Sequence, residues 1–218
     1  MYYIHESVNK STGNRTLCLC GSLYSPWLVC PFSHSDVSFR VGKIMRITNV
    51  VCSASLGCSI NLSHLCRRLA NARYDPRRFS GLIWHHKKIG GNCLVFSNGN
   101  INCNGKAETF QDGIKRLRRY ARSLQKLGYT VRLTDAKVLT VSACHDLGSH
   151  LDLSTLSRDR RLVYEPELFP TVVFKVLGIT FSCFHNGKVI VTGIKIETDI
   201  RDVVYPTLVE LRLYTRTT

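Results

Sequence analysis

Three residue sets have types suited to chemistry. Cys18, Cys20, Cys30 and His34 could hold zinc through thiolate and imidazole ligands. Their spacing, C-x-C-x9-C-x3-H, fits no common finger, and no second half-site accompanies it. Asp75 with His85 and His86 could act as acid and base, and Cys144 with His145 could pair nucleophile and base. Neither set carries a recognised spacing, and no phosphate-cradling glycine loop of Walker type occurs. The residues therefore argue against an enzyme and against a metal or cofactor. Binding is the better expectation. The chain carries 30 Lys and Arg against 15 Asp and Glu, a formal charge of +15, which suits a polyanionic partner.

The elements that position these residues come in two copies. Tyr74-Asp75-Pro76-Arg77-Arg78-Phe79 and Tyr164-Glu165-Pro166-Glu167-Leu168-Phe169 share one pattern, with the phenylalanines 90 positions apart. Phe96-Ser97-Asn98-Gly99 recurs as Phe184-His185-Asn186-Gly187 at offset 88, and Gly105 recurs as Gly193. Ile60 to Leu65 resembles Leu151 to Leu156 at offset 91, and Tyr120 matches Tyr205 at offset 85. The drifting offset indicates small deletions within a tandem duplication. The expected organisation is an N-terminal extension over 1–42, a first repeat over 43–130 and a second over 131–218, both repeats forming one core domain.

Each repeat reads as strand, short helix, antiparallel strands and a long helix. Lys43 to Ser53 is β-branched and partly alternating, so it predicts a strand. Asn61 is placed to cap a helix over Leu62 to Asn71. Phe79 to Lys87 and Cys93 to Phe96 predict strands around a turn at Gly90-Gly91-Asn92. Asn98-Gly99 predicts a two-residue hairpin returning through Asn100 to Asn104. Lys106 to Leu127 predicts a long helix, weakened in its first turns by Gly113 and closed by Gly128.

In the second repeat, Val131 to Ala143 predicts a strand and Leu151 to Leu156 a short helix. Val172 to Val176 predicts a strand and Leu177-Gly178-Ile179 a turn. Thr180 to Phe184 and Lys188 to Thr192 predict a hairpin across Asn186-Gly187, and Glu197 to Leu211 a helix broken or bent at Pro206. The class is α+β, with helices on one face of an antiparallel sheet and the other face needing a partner. No apolar run approaches a membrane span, and the ten cysteines read as reduced, small core residues. The N-terminal extension reads as an arm that is flexible or packs weakly.

Several strings carry a family resemblance. They are Thr48-Asn49-Val50-Val51, Leu56-Gly57-Cys58, Asn71 to Phe79, Tyr120 to Gly128, and Tyr164 to Pro170. Together they resemble the core of the TATA-box-binding protein (TBP) family, most like a divergent TBP-related factor. The resemblance implies a saddle of two tandem repeats, one curved antiparallel sheet with helices on its convex face. The concave face would sit in the minor groove of promoter DNA, and the protein would act in the nucleus.

In that family one pair of aromatic wedges per repeat enters the base stack. The matching residues here are Phe79 and Phe96, then Phe169 and Phe184. Groove contacts would fall on Asn49, Val51, Ser80, Leu94, Asn102, Asn104, Thr140, Ser142, Pro170, Ser182, Ile190 and Thr192. Phosphates would meet Arg77, Arg78, Lys175 and Lys188, and His85 stands where arginine is usual. A TFIIB-type factor would meet Glu165, Glu167 and Leu168. A TFIIA-type factor or another regulator would meet Asn71, Arg73, Lys115, Arg119 and Arg122, although Arg73 replaces a usual glutamate.

The groove set departs from the family. Thr140 and Ser142 replace an Asn and a Val, Asn102 and Asn104 replace a Val and a Thr, and Ser182 replaces an apolar residue. The minor groove over A·T pairs offers only acceptors, whereas a G·C pair adds the guanine amino donor. The departures imply altered or relaxed sequence preference. The rival expectation is a TBP-related adaptor that bridges transcription proteins and binds DNA weakly or without specificity. RNA binding lacks its motif strings.

Overall fold

The computed structural model describes residues 5–8, 15–18, 45–158, 163–165 and 167–215. Two compact units divide the chain, Met1–Arg40 and Val41–Thr218. In the first, β1 (His5–Val8) and β2 (Arg15–Cys18) form an antiparallel pair. The sequence reading placed an arm there and no hairpin. Cys20, Cys30 and His34 of the possible zinc set lie outside the described residues.

The second unit is built on one ten-stranded sheet, in which every neighbouring pair is antiparallel. Its first half contains β3 (Arg46–Ser55), β4 (Ala72–Arg73), β5 (Leu82–Trp84), β6 (Asn92–Val95) and β7 (Asn100–Gly105). The other half contains β8 (Thr134–Asp146), β9 (Val163–Glu165), β10 (Phe169–Val176), β11 (Ile179–Phe184) and β12 (Lys188–Ile194). The order is β4-β5-β6-β7-β3-β8-β12-β11-β10-β9, so the two halves repeat one plan outward from the central β3–β8 pair.

Alternation assigns the faces, because successive side chains in a strand point to opposite sides. Val50, Cys52 and Ala54, then Cys93 and Val95, then Ile101 and Cys103 are buried. Across the midline Val141, Ala143, Phe181, Cys183, Val189 and Val191 continue that face. They share one core with the buried residues of the helices. The helices are α1 (Leu62–Arg68), α2 (Phe110–Lys126), α3 (Leu153–Leu156), α4 (Glu197–Asp199) and α5 (Tyr205–Leu211). Each fully buried leucine such as Leu117 or Leu124 contributes about 1.5–3 kcal/mol.

The helix ends follow local chemistry. Asn61 caps α1 through its side-chain oxygen, which accepts from the His64 amide. The helix stops at Arg68, short of the expected Asn71, because Leu69 is extended and Asn71 takes a left-handed φ of 58°. Likewise α2 starts at Phe110 and not Lys106. Thr109 accepts from the Asp112 amide at 3.2 Å, and Asp112 accepts from the Thr109 amide at 3.1 Å, a reciprocal cap. Gly113 serves packing: an added Cβ would strike Val50 and lie 2.7 Å from Cys52 Sγ. The glycine lets α2 lie directly on β3.

The closing helical stretch is continuous, with a π-helical turn (Ile200–Val204) between α4 and α5. There the Tyr205 amide donates to Ile200, five residues back. Pro206 follows directly, so the carbonyls of the π-helical turn lose one backbone donor there.

Two strand expectations need correction. Phe79 to Lys87 is a strand only over Leu82–Trp84. The Phe79 amide is taken by Asp75 O at 3.0 Å and the His86 amide by Tyr120 Oη at 3.2 Å, so neither joins the ladder. Both tip hairpins have three-residue loops. Gly99 (φ 85°) donates to Phe96 O and Gly187 (φ 79°) to Phe184 O, each at 3.0 Å. A type I turn followed by a left-handed residue is the usual three-residue solution. The Leu177-Gly178 turn is the two-residue one, with φ of 48° and 84°. No helix among the described residues is long and apolar enough to cross a membrane.

Candidate nucleic-acid interface

The sheet face opposite the helices carries the residues of interest. The alternation that buries Val50 and Cys52 places Asn49 and Val51 on this face. The same parity places Leu94, Asn102, Asn104, Thr140, Ser142, Ser182, Ile190 and Thr192 there. Cross-strand register arranges them in rows. Leu94 lies beside Asn102, Asn104 beside Val51, and Val51 beside Thr140. Asn49 lies beside Ser142, Ser142 beside Thr192, and Ile190 beside Ser182. Residues distant in sequence thus form one polar band broken by Val51, Leu94 and Ile190.

An aromatic pair stands toward each end of the band. Phe79 and Phe96 meet edge to face at 5.9 Å between centroids, and Phe169 and Phe184 do so at 6.5 Å. Phe79 is 38% exposed and Phe169 is 54% exposed, large values for phenylalanine. The first pair rests over Gly81, where an added Cβ would lie 2.7 Å from the Phe79 ring. At offset 90 the second repeat has Thr171, which is buried with no hydrogen-bond partner for its hydroxyl. Ser80 and Pro170 follow the wedge candidates and are exposed.

The loops before the wedge candidates differ in charge. In the first, the Asp75 carbonyl accepts from the Arg78 and Phe79 amides, and its carboxylate accepts from the Arg77 amide at 3.1 Å. Arg78 Nε lies 3.6 Å from that carboxylate, and Arg77 is exposed beside it. In the second, the Leu168 amide donates to Glu165 O at 3.0 Å. Glu165 and Glu167 are exposed there, and Leu168 is 81% exposed. Lys175 and Lys188 are exposed on β10 and β12.

Asn49 has its orientation fixed. Its amide oxygen accepts from the Gly105 amide at 2.8 Å, which leaves its NH2 group to face outward. Among the described residues, Asn102 and Asn104 have no partner for their side-chain amides. The Asn92 side chain shares their face and pairs in register with Asn104. Sequence reading passed over Asn92 and Gly81. The parity Asn92 shares with Leu94 was a usable signal, whereas nothing in the string shows the ring above Gly81.

The remaining candidates lie elsewhere. Asn71 begins the turn into edge strand β4, its carbonyl accepting from the His85 amide at 3.0 Å, and Arg73 is exposed on that strand. Lys115, Arg119 and Arg122 line the exposed face of α2, away from buried Leu117, Tyr120 and Leu124. Lys115 pairs with Asp112 at 3.5 Å. Tyr120 is fully buried. Its hydroxyl donates to Gly91 O at 3.1 Å and accepts the His86 amide, pinning the β5–β6 loop, and burial raises its pKa.

The chemical sets do not assemble. Cys144 and His145 point to opposite faces of β8. His145 is buried with both ring nitrogens unpartnered, and burial first, then Arg212, lowers its pKa. Asp75 serves its turn, and His86 Nδ1 accepts the Ile89 amide at 3.3 Å. Among the described residues no group of three could hold a metal, and Cys52, Cys58, Cys66, Cys93, Cys103, Cys144 and Cys183 are free thiols. Burial pushes Cys52 up to about 11 and Cys183 up to about 12, so these thiols stay protonated and pack as small apolar groups.

Comparison with known proteins agrees with this geometry. The family model "Transcription factor TFIID (or TATA-binding protein, TBP)" matches residues 44–127 and 135–213. The TATA-box-binding protein of Acetabularia peniculus is 32% identical over 178 residues, covering 78% of this chain and 93% of that one. That of Saccharomyces cerevisiae is 31% identical over 189 residues, covering 84% and 78%. Methanococcus jannaschii TBP superposes with a TM-score of 0.68 at 27% identity, covering 78% of this chain and 99% of that one. The two matched segments fall on the two halves of the ten-stranded sheet. The role is therefore DNA binding in transcription, which implies action in the nucleus, and it is not enzymatic. With its fold, its duplicated sheet and its relatives in accord, the chain belongs to the TATA-box-binding protein family.

Proposed function

We propose that this chain is a transcription initiation factor that binds and bends promoter DNA through the minor groove, with relaxed preference for TATA. One observation carries the reading. The strand-borne groove candidates share the sheet face opposite the helices, and a phenylalanine pair with one exposed ring stands toward each end of it. TATA-box-binding proteins are the standard example of minor-groove wedging, in which apolar side chains enter base steps and the bend brings more surface into contact. Unstacking costs a few kcal/mol per step, which the added contact offsets. In this reading Phe79 and Phe96 open one step and Phe169 and Phe184 the other, with the repeats at 43–130 and 131–218 each supplying one kink. Arg77, Arg78, Lys175 and Lys188 contact phosphates, which fix register without reading sequence. The departures at Thr140, Ser142, Asn102, Asn104 and Ser182 favour relaxed readout.

Glu165, Glu167 and Leu168 are offered outward on the second loop. That exposed acidic and apolar tip supports docking of a TFIIB-type factor. Asn71, Arg73 and the basic face of α2 supply a second surface for a TFIIA-type factor or another regulator. The same acidic tip favours the alternative, an adaptor that bridges transcription proteins and holds DNA weakly. End-to-end FRET on a TATA duplex and a G·C-substituted control, at two salt concentrations, separates these. A bend on both duplexes that survives higher salt supports the proposal. Binding without a bend, lost as salt rises, favours the adaptor.

A further inference from the structure

We infer that the chain reads its site asymmetrically: the half beneath the first repeat accepts a G·C pair, and the half beneath the second does not. This rests on the minor-groove reading above and names the DNA that reading would select. Between the Phe79–Phe96 pair and the midline, β7 presents Asn102 and then Asn104 on the open face. Their neighbours in register are Leu94 and Ser53 for Asn102, and Asn92 and Val51 for Asn104. Neither amide has a partner among the described residues, so both the oxygen and the NH2 group are available.

An amide of that kind matches a G·C pair. The guanine N2 amino group donates to the amide oxygen, while the NH2 group donates to a neighbouring N3 or O2 acceptor. Asn49 is less free to contribute in the same way, because one lone pair of its oxygen already accepts from Gly105. Its NH2 group suits acceptors that every base pair presents, so it binds without discriminating.

The equivalent row of the second repeat is built differently. At offset 88, Ile190 stands for Asn102 and Thr192 for Asn104. Ile190 is 38% exposed, and its register neighbours are Ser182 and Cys144. The isoleucine is the longest of the three and meets the groove first. A guanine amino group pressed against the isoleucine loses water and gains no acceptor from it, and the Ser182 hydroxyl beside it is less exposed than the Ile190 side chain, so the amino group meets the costly case for a polar group. The pseudo-symmetric sheet therefore carries an asymmetric code, and a one-sided site would be bound in a single direction.

The test uses the full chain and three duplexes at one salt concentration: a palindromic A·T parent, the parent with a G·C pair in one half, and the parent with G·C in both halves. The one-half duplex binds within about threefold of the parent, and the both-halves duplex is about tenfold weaker or worse. In the double variant Asn102→Val, Asn104→Val the one-half duplex falls about tenfold relative to that variant's own binding of the parent. Ile190→Asn restores the both-halves duplex, a gain that misfolding cannot produce. The inference is overturned if the one-half duplex binds as weakly as the both-halves duplex, or the both-halves duplex as tightly as the parent. Failure to bind the parent at all overturns the minor-groove reading itself.

Discussion

The two halves of the sheet share a strand plan and differ in what they present. The first offers Asn49, Asn92, Asn102 and Asn104 on its open face and Arg73, Arg77 and Arg78 around its wedge loop. The second offers Thr140, Ser142, Ser182, Ile190 and Thr192 on its open face and Glu165 and Glu167 in its loop. Between the halves the buried parity and the glycine-closed tip hairpins are retained. The lesson is that strand alternation fixes which positions face a ligand, and leaves the chemistry at those positions free to diverge.

The largest loss is expected at the wedge candidates. Phe79→Ala with Phe96→Ala, or Phe169→Ala with Phe184→Ala, is expected to abolish one kink and weaken DNA binding about a hundredfold. The ring at the tip of each pair is substantially exposed, so the fold should persist, and calorimetry beside FRET checks both statements. A smaller change separates the loops. Tyr120→Phe removes the hydroxyl that pins the β5–β6 loop and should cost about 1–2 kcal/mol in urea unfolding. The two-residue turn at Leu177-Gly178 leaves the second half no such loop to pin, so removing the Tyr205 hydroxyl should change stability less.

Thr171→Val sharpens the contrast with Gly81. Replacing a buried, unpartnered hydroxyl by a methyl group should stabilise the protein by about 1 kcal/mol, read as a shift in urea midpoint. The mildest effect is a pH dependence carried by His145 in the second half. His145 is held neutral by burial first and by Arg212 second, with Asp146 opposing. Its folded pKa lies below the unfolded value of about 6.5, so its contribution to stability is complete above that pH and is lost as pH falls through the folded value. His145→Gln should flatten the acid limb of the stability profile.

Much of this was legible in the string. The duplicated tyrosine-to-phenylalanine motif exposed the repeat, and the family resemblance singled out Asn49 and Val51, which strand alternation then places on one face. The Asn61 cap and the Gly128 stop were readable because they are local. What was not legible depends on contacts between distant segments. Phe79 lies outside β5 because Asp75 holds its amide, and Gly113 meets β3 across more than fifty residues of sequence. The three-residue hairpins were misread because Asn-Gly fits two loop lengths, and the cross-strand register decides between them.

The central claim is that the sheet face opposite the helices enters the minor groove and opens two base steps. A 2-aminopurine probe placed at either end of the bound site reports each step by its fluorescence. The account predicts a rise at both steps, with Phe79→Ala and Phe96→Ala silencing one and Phe169→Ala and Phe184→Ala silencing the other. Tight binding with neither probe brightening would contradict it.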